Sequence, residues 1–125
     1  MAFKIGVERL RARLMWRCYV ALLAEAAREV LGGTEVYVFG SAVEGRLTAD
    51  SDIDVAVVMQ SPPVEGSRRA ELTARILEAA ERRGVPWWYP FEIHLLLPGG
   101  LELLEARFVR VDWGREVCTA PALKR

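Results

Sequence analysis

Gly40-Ser41-Ala42-Val43-Glu44-Gly45-Arg46-Leu47-Thr48-Ala49-Asp50-Ser51-Asp52-Ile53-Asp54 joins two features that decide the fold. A Gly-Ser turn closes one apolar strand, and ten residues on an Asp-x-Asp pair opens the next. The turn leaves backbone N–H groups and a hydroxyl free for phosphate oxygens. Carboxylates two residues apart on a strand point to one face and can share a divalent cation. The stretch therefore reads as a phosphate grip at Gly40 and Ser41 beside a metal site at Asp52 and Asp54. Taken alone, an Asp-x-Asp pair is more often a strand end or a turn cluster; the joint pattern, with strands on either side, is what carries specificity.

Working outward, Thr34 to Phe39 is rich in β-formers, and Ser41 to Leu47 reads as one or two helical turns facing the Gly-Ser turn. Asp52 to Met59 alternates, with Asp52, Asp54, Ala56 and Val58 on one face and Ile53, Val55, Val57 and Met59 on the face that must be core. Before the turn, Leu10, Leu14, Cys18, Ala21 and Leu22 recur at helical spacing, which predicts a single long helix from about Val7 to Leu31, stopped by Gly32-Gly33. After the second strand, Ser61 to Ser67 is a loop and Arg68 to Arg83 a helix closed by Gly84 and Pro86. Tyr89 to Leu97 is the third strand: Phe91, Ile93, Leu95 and Leu97 face one way, Glu92, His94 and Leu96 the other, so Glu92 can join Asp52 and Asp54. In the tail, Leu101, Leu104, Phe108 and Val111 fit a helix ending at Gly114, although Phe108 to Val111 also alternates as a strand would; the helix is the reading taken.

The 125 residues, 52% hydrophobic and 27% charged, suit one soluble α/β domain spanning 1–125, and their apolar runs are too short to span a bilayer. Met1 to Val7 shows no sustained apolar stretch, so a cytoplasmic location is expected. Zero formal net charge argues against loose nucleic-acid binding, which draws on a basic excess. Cys18 and Cys118 have no C-x-x-C spacing and the chain has one His, so two reduced thiols are the default reading. Arg9, Arg13, Arg17 and Arg28 share one side of the first helix; a solvated face is the common explanation of such a stripe, a surface for an acidic protein or RNA the alternative. Trp87-Trp88-Tyr89-Pro90-Phe91 divides between core and a surface suited to a protein interface or base stacking.

Together the Gly40-Ser41 turn, Asp52-x-Asp54 and the flanking strands resemble the nucleotidyltransferase superfamily that includes polymerase beta, most closely the minimal nucleotidyltransferases of bacteria and archaea. The resemblance implies a small mixed β-sheet with helices packed on one face. It also implies Asp52 and Asp54 as metal-binding aspartates, Gly40 and Ser41 as the triphosphate-gripping turn, and Mg²⁺ or Mn²⁺ acting with ATP. Glu92 stands where the family usually has a third Asp, a metal ligand that can also help deprotonate an acceptor hydroxyl; here the side chain is one methylene longer. Arg46 sits where similar sequences carry a basic residue, which in that role contacts phosphate, against the plainer reading of a loop charge. Minimal nucleotidyltransferases often act as antitoxins that transfer AMP to a tyrosine of a helical HEPN-domain ribonuclease toxin, and the same is expected of this chain. The alternatives are a non-catalytic nucleotide- or partner-binding subunit and a small-molecule, aminoglycoside-type nucleotidyltransferase. Asp50 reads as a turn residue, and His94 as a hydrogen-bonded sheet residue or an outer contact of the metal site.

Overall fold

A computed structural model describes residues 2–119, with side chains from residue 5 onward; Met1 and residues 120–125, which the one-domain reading includes, lie outside the described residues. The helices are α1 (Ala2–Leu14), α2 (Trp16–Leu31), α3 (Ser41–Glu44) and α4 (Gly66–Arg82), and the strands β1 (Glu35–Phe39), β2 (Ile53–Val58), β3 (Phe91–Leu96) and β4 (Phe108–Arg110). Two 3₁₀ turns, Gly100–Leu104 and Arg115–Thr119, complete the chain.

The strands form one mixed sheet in the order β3-β2-β1-β4, antiparallel between β1 and its two neighbours and parallel between β2 and β3. A parallel pair needs a crossover long enough to return the chain to the same end of the sheet, and α4 supplies it. The expected alternation holds in β2, where Ile53, Val55 and Val57 are wholly buried and Asp54 is half-buried. These side chains meet Leu23 of α2, Ile76 of α4 and Val36 and Val38 of β1 in the main core, so helices cover one face of the sheet as expected. Alanines 24, 26, 27, 79 and 80, all fully buried, let the helix backbones approach closely. On the other face only a small cluster forms, Phe39 and Ala56 under Leu101 of the first 3₁₀ turn, which leaves the start of β2 and β3 uncovered for Asp54 and Glu92. Among the described residues no helix is long and apolar enough to cross a membrane.

Three expectations need correction. The single helix from Val7 to Leu31 is two helices, parted at Met15, whose N–H returns to the Ala12 carbonyl three residues back. The apolar stripe does not continue through the break: Leu14 is 60% exposed, whereas Arg13 is buried. The sheet face is taken by α2 and α4, and α1 instead runs against the 48–51 loop, to which Arg13 and Arg9 are bonded, and against Tyr89, whose hydroxyl donates to the Ala12 carbonyl at 3.0 Å. The tail has no α-helix over Leu101–Val111; Phe108–Arg110 pairs with β1 as an edge strand, because Tyr37 to Phe39 otherwise present an open row of backbone groups. Finally, Cys18 and Cys118 are disulfide-bonded, with Cα atoms 4.6 Å apart. Sequence spacing argued only against local motifs; the pairing follows from the Arg115–Thr119 turn lying on α2, where Trp113 Nε1 donates to the Arg17 carbonyl and Arg115 Nε to Glu25, both at 3.0 Å.

A cross-link closing a loop of 100 residues chiefly restricts the unfolded chain. Cys118→Ser should therefore lower the unfolding free energy by about 2–4 kcal/mol in urea titrations, and a reductant should do the same to the unmutated protein.

Candidate functional site

The parallel register places Asp54 directly opposite Glu92, and Ala56 opposite His94. Because strand side chains alternate, Asp54, Glu92 and His94 all rise from the uncovered face. Among the described residues, these three are the His, Cys, Asp or Glu side chains whose donor atoms gather within 4.8 Å of one another. His94 Nε2 lies 3.2 Å from Glu92 Oε1 and 3.5 Å from Asp54 Oδ1, and its ring packs on Phe39 with centroids 5.1 Å apart. Glu92 and Asp54 come from different strands, so the crossover through α4 is what joins them.

Gly40 borders the same cluster. It holds φ +80°, and a Cβ built on it would stand 2.5 Å from Asp54 Oδ2, so the position excludes any side chain for two separate reasons. The turn thus comes into close approach with the Asp54 carboxylate, and α3 begins at Ser41 immediately afterwards. The other expected residues stand apart from the trio. Asp52 is exposed and precedes β2, outside the gathered donors. Arg46 is exposed, its guanidinium bonded to Glu44, and its backbone N–H donates to the Ser41 carbonyl at 2.9 Å. A concave space of about 500 Å³ lies on the same sheet face but at its far end, lined by Thr34, Tyr37, Val58 and Leu101, and does not include the carboxylates.

The residue that sequence reasoning missed is Arg13. Only 7% exposed, it donates from Nε to the Ser51 carbonyl at 2.7 Å and from NH1 to the Arg9 carbonyl at 3.0 Å. Arg9 in turn pairs with Asp50 at 2.5 Å, and Arg17 lies over the Trp16 ring, 4.5 Å from its centroid. Arg9 and Arg13 of the stripe thus fasten the loop that leads into Asp52. Burial of an Arg cannot be read from helical spacing; the sole hint was that this stripe interleaves with Leu10 and Leu14.

Burial, reinforced by the neighbouring Glu92 carboxylate and opposed by His94, pushes the Asp54 carboxyl up to about 6. A carboxylate held in that condition gains more than an ordinary one from a cation, so the donor set of two carboxylates and one imidazole fits a divalent metal.

Two measurements follow. With a folded-state value above the ordinary 3.8, the folded protein holds the Asp54 proton more tightly than the unfolded chain, and the Asp54 contribution to stability declines between about pH 4 and 6 and is level above. Asp54→Asn should accordingly be more stable than the unmutated protein by roughly 1–2 kcal/mol at pH 7.5 in EDTA, the gap closing toward pH 4, as read from urea unfolding. Arg13→Ala, which leaves the part-buried Ser51 carbonyl without its partner, should cost about 1–3 kcal/mol, against under about 1 kcal/mol for Arg9→Ala at its exposed ion pair.

Comparison with known proteins returns one finding: the family model described as a nucleotidyltransferase domain matches residues 20–96. No curated protein and no solved structure matches the chain. The matched span covers well over half of the sequence and contains the Gly40 turn, Asp52, Asp54, Glu92 and His94. The chain belongs to the nucleotidyltransferase domain family, whose general reaction is nucleotidyl transfer.

Proposed function

We propose that the protein transfers AMP from ATP to a hydroxyl of a protein partner, with Asp52, Asp54 and Glu92 as metal ligands and Gly40 and Ser41 at the triphosphate. The observation that carries this reading is the lateral pairing of Asp54 with Glu92 across β2 and β3, with the Gly40 turn against Asp54. Divalent ions, when bound, neutralise the triphosphate and favour departure of pyrophosphate. The chain's own residues supply the rest. Asp54 and Glu92 present their oxygens from rigid strands, which keeps the reacting groups positioned. The acceptor oxygen bonds to the α-phosphorus as the bond to the β-phosphate oxygen breaks, and Glu92, exposed beside Asp54, takes the acceptor's proton. Asp52 joins from the end of the arginine-fastened loop, one residue before β2. Arg46 is available to a phosphate once released from Glu44.

A protein acceptor is favoured by the surface around this end of the sheet. Trp87 and Trp88, 80% and 50% exposed, lie in the segment leading into β3, only a few residues before Glu92. Exposed tryptophans are the side chains that most often anchor a protein interface. In keeping with the minimal nucleotidyltransferases that this chain resembles, the partner is a helical HEPN-domain toxin, the acceptor a tyrosine, and the site of action the cytoplasm. The second reading, a partner-binding subunit without turnover, draws on one observation: Asp52 stands outside the group of donors that Asp54 and Glu92 form with His94.

The test is to incubate the protein with labelled ATP, Mg²⁺ or Mn²⁺ and HEPN-domain proteins encoded beside it, then locate added mass by mass spectrometry. AMP on a tyrosine is expected. Asp54→Asn should abolish the label, and Glu92→Gln should slow it by about 10²–10⁴-fold. Glu92→Asp should retain or raise it, since displacement on the order of 1 Å is worth about a hundredfold in rate. A tight complex without any label would establish the non-catalytic reading instead.

A further inference from the structure

The reaction as derived leaves His94 idle, although its imidazole is the group that touches both carboxylates. Nε2 stands 3.2 Å from Glu92 Oε1 and 3.5 Å from Asp54 Oδ1. Around a cation with bonds of about 2.1 Å, neighbouring ligands of an octahedron stand about 3.0 Å apart and those of a tetrahedron about 3.4 Å. The two separations from His94 already match those of ligands sharing one ion, and the three donor atoms all lie within 4.8 Å of one another. The imidazole is also held from behind. It rises from β3 two residues after Glu92, on the same face by strand periodicity, and its ring rests on Phe39. Asp52, by contrast, lies outside this trio and on the loop before β2.

Ligand chemistry then bears on which ion is preferred. Mg²⁺ takes oxygen ligands and keeps much of its water, so an imidazole adds little to its binding. Nitrogen ligands strengthen binding of first-row transition dications, while the two carboxylates suit the harder members of that series. We propose that His94 is a direct ligand of the catalytic cation, completing with Asp54 and Glu92 a one-nitrogen, two-oxygen site that selects a transition dication of the Mn²⁺ or Co²⁺ kind over Mg²⁺. The proposal rests on the nucleotidyl-transfer reading of the same site and adds the chemical class of its metal. Its hydrogen-bond geometry alone would also suit a His that merely bridges two carboxylates, and the experiment separates the two roles.

Mn²⁺ binding to the nucleotide-free protein is followed by loss of the free-ion electron paramagnetic resonance signal, Mg²⁺ by its competition with Mn²⁺, and Co²⁺ by its visible absorption. The unmutated protein should bind Mn²⁺ at least about tenfold more tightly than Mg²⁺ and give a Co²⁺ spectrum that changes in His94→Gln, whose side chain offers oxygen in place of nitrogen. In that variant the Mn²⁺-to-Mg²⁺ affinity ratio should fall by about tenfold, with thermal unfolding showing that it remains folded. His94→Asn, shorter by a methylene, provides a second variant if His94→Gln does not fold. An unchanged ratio and an unchanged Co²⁺ spectrum in the folded variant would overturn the proposal. If ATP with Mg²⁺ still binds in an Asp54-dependent manner under that result, the nucleotidyl-transfer reading survives and only the role of His94 falls. If no divalent cation binds with or without ATP, both fall.

Discussion

Parallel pairing of β2 with β3 is the constraint on which the site depends. In a parallel pair, residues in register stand side by side on the same face, and this register sets Asp54 beside Glu92. Burial first, and then the neighbouring Glu92 carboxylate, disfavours charge on Asp54, and its carboxyl is raised accordingly. The sheet cannot relieve this by slipping. A shift of one residue would carry Ile53, Val55 and Val57 out of the core, so the packing that stabilises the fold also holds the carboxylates in an unfavourable arrangement. A bound cation turns that arrangement to use, which is how a stable core can support a site that is locally costly.

The remaining elements converge on the same few atoms. Gly40 lets the β1 turn come against Asp54, where any side chain would collide with the carboxylate. Phe39, at the end of β1, pairs with Asp54 in the antiparallel register and supports the His94 ring. The two faces of the sheet are thereby divided: α2 and α4 cover one with small and branched apolar side chains, while the thin cluster around Leu101 covers only part of the other. The uncovered part is where Asp54, Glu92 and His94 stand.

Farther out, charged side chains act as fasteners. Arg13 binds the Ser51 carbonyl from a buried position, and Glu25 is held below the usual carboxylate range by Arg115, with Arg83 adding to the effect. Glu25 thus ties α2 to the residue that follows α4 and to the C-terminal turn, which the Cys18–Cys118 bond also secures. These contacts span large sequence separations, and each anchors an irregular segment to a helix rather than one regular element to another.

Much of this organisation was legible from the sequence. Alternation in β2 and β3 assigns their faces, and the Gly-Ser turn and Asp-x-Asp pair mark the region that the family match covers. Those signals are local: a two-residue period and a short spacing are properties of the chain itself. The break at Met15, the pairing of β4 with β1, the Cys18–Cys118 bond and the burial of Arg13 were not legible, because each depends on which distant segment arrives alongside. Sequence placed Glu92 and His94 on one face, and only the tertiary register set them against Asp54, since which strands become neighbours, and in what register, is decided by how the core packs and not by the strands themselves.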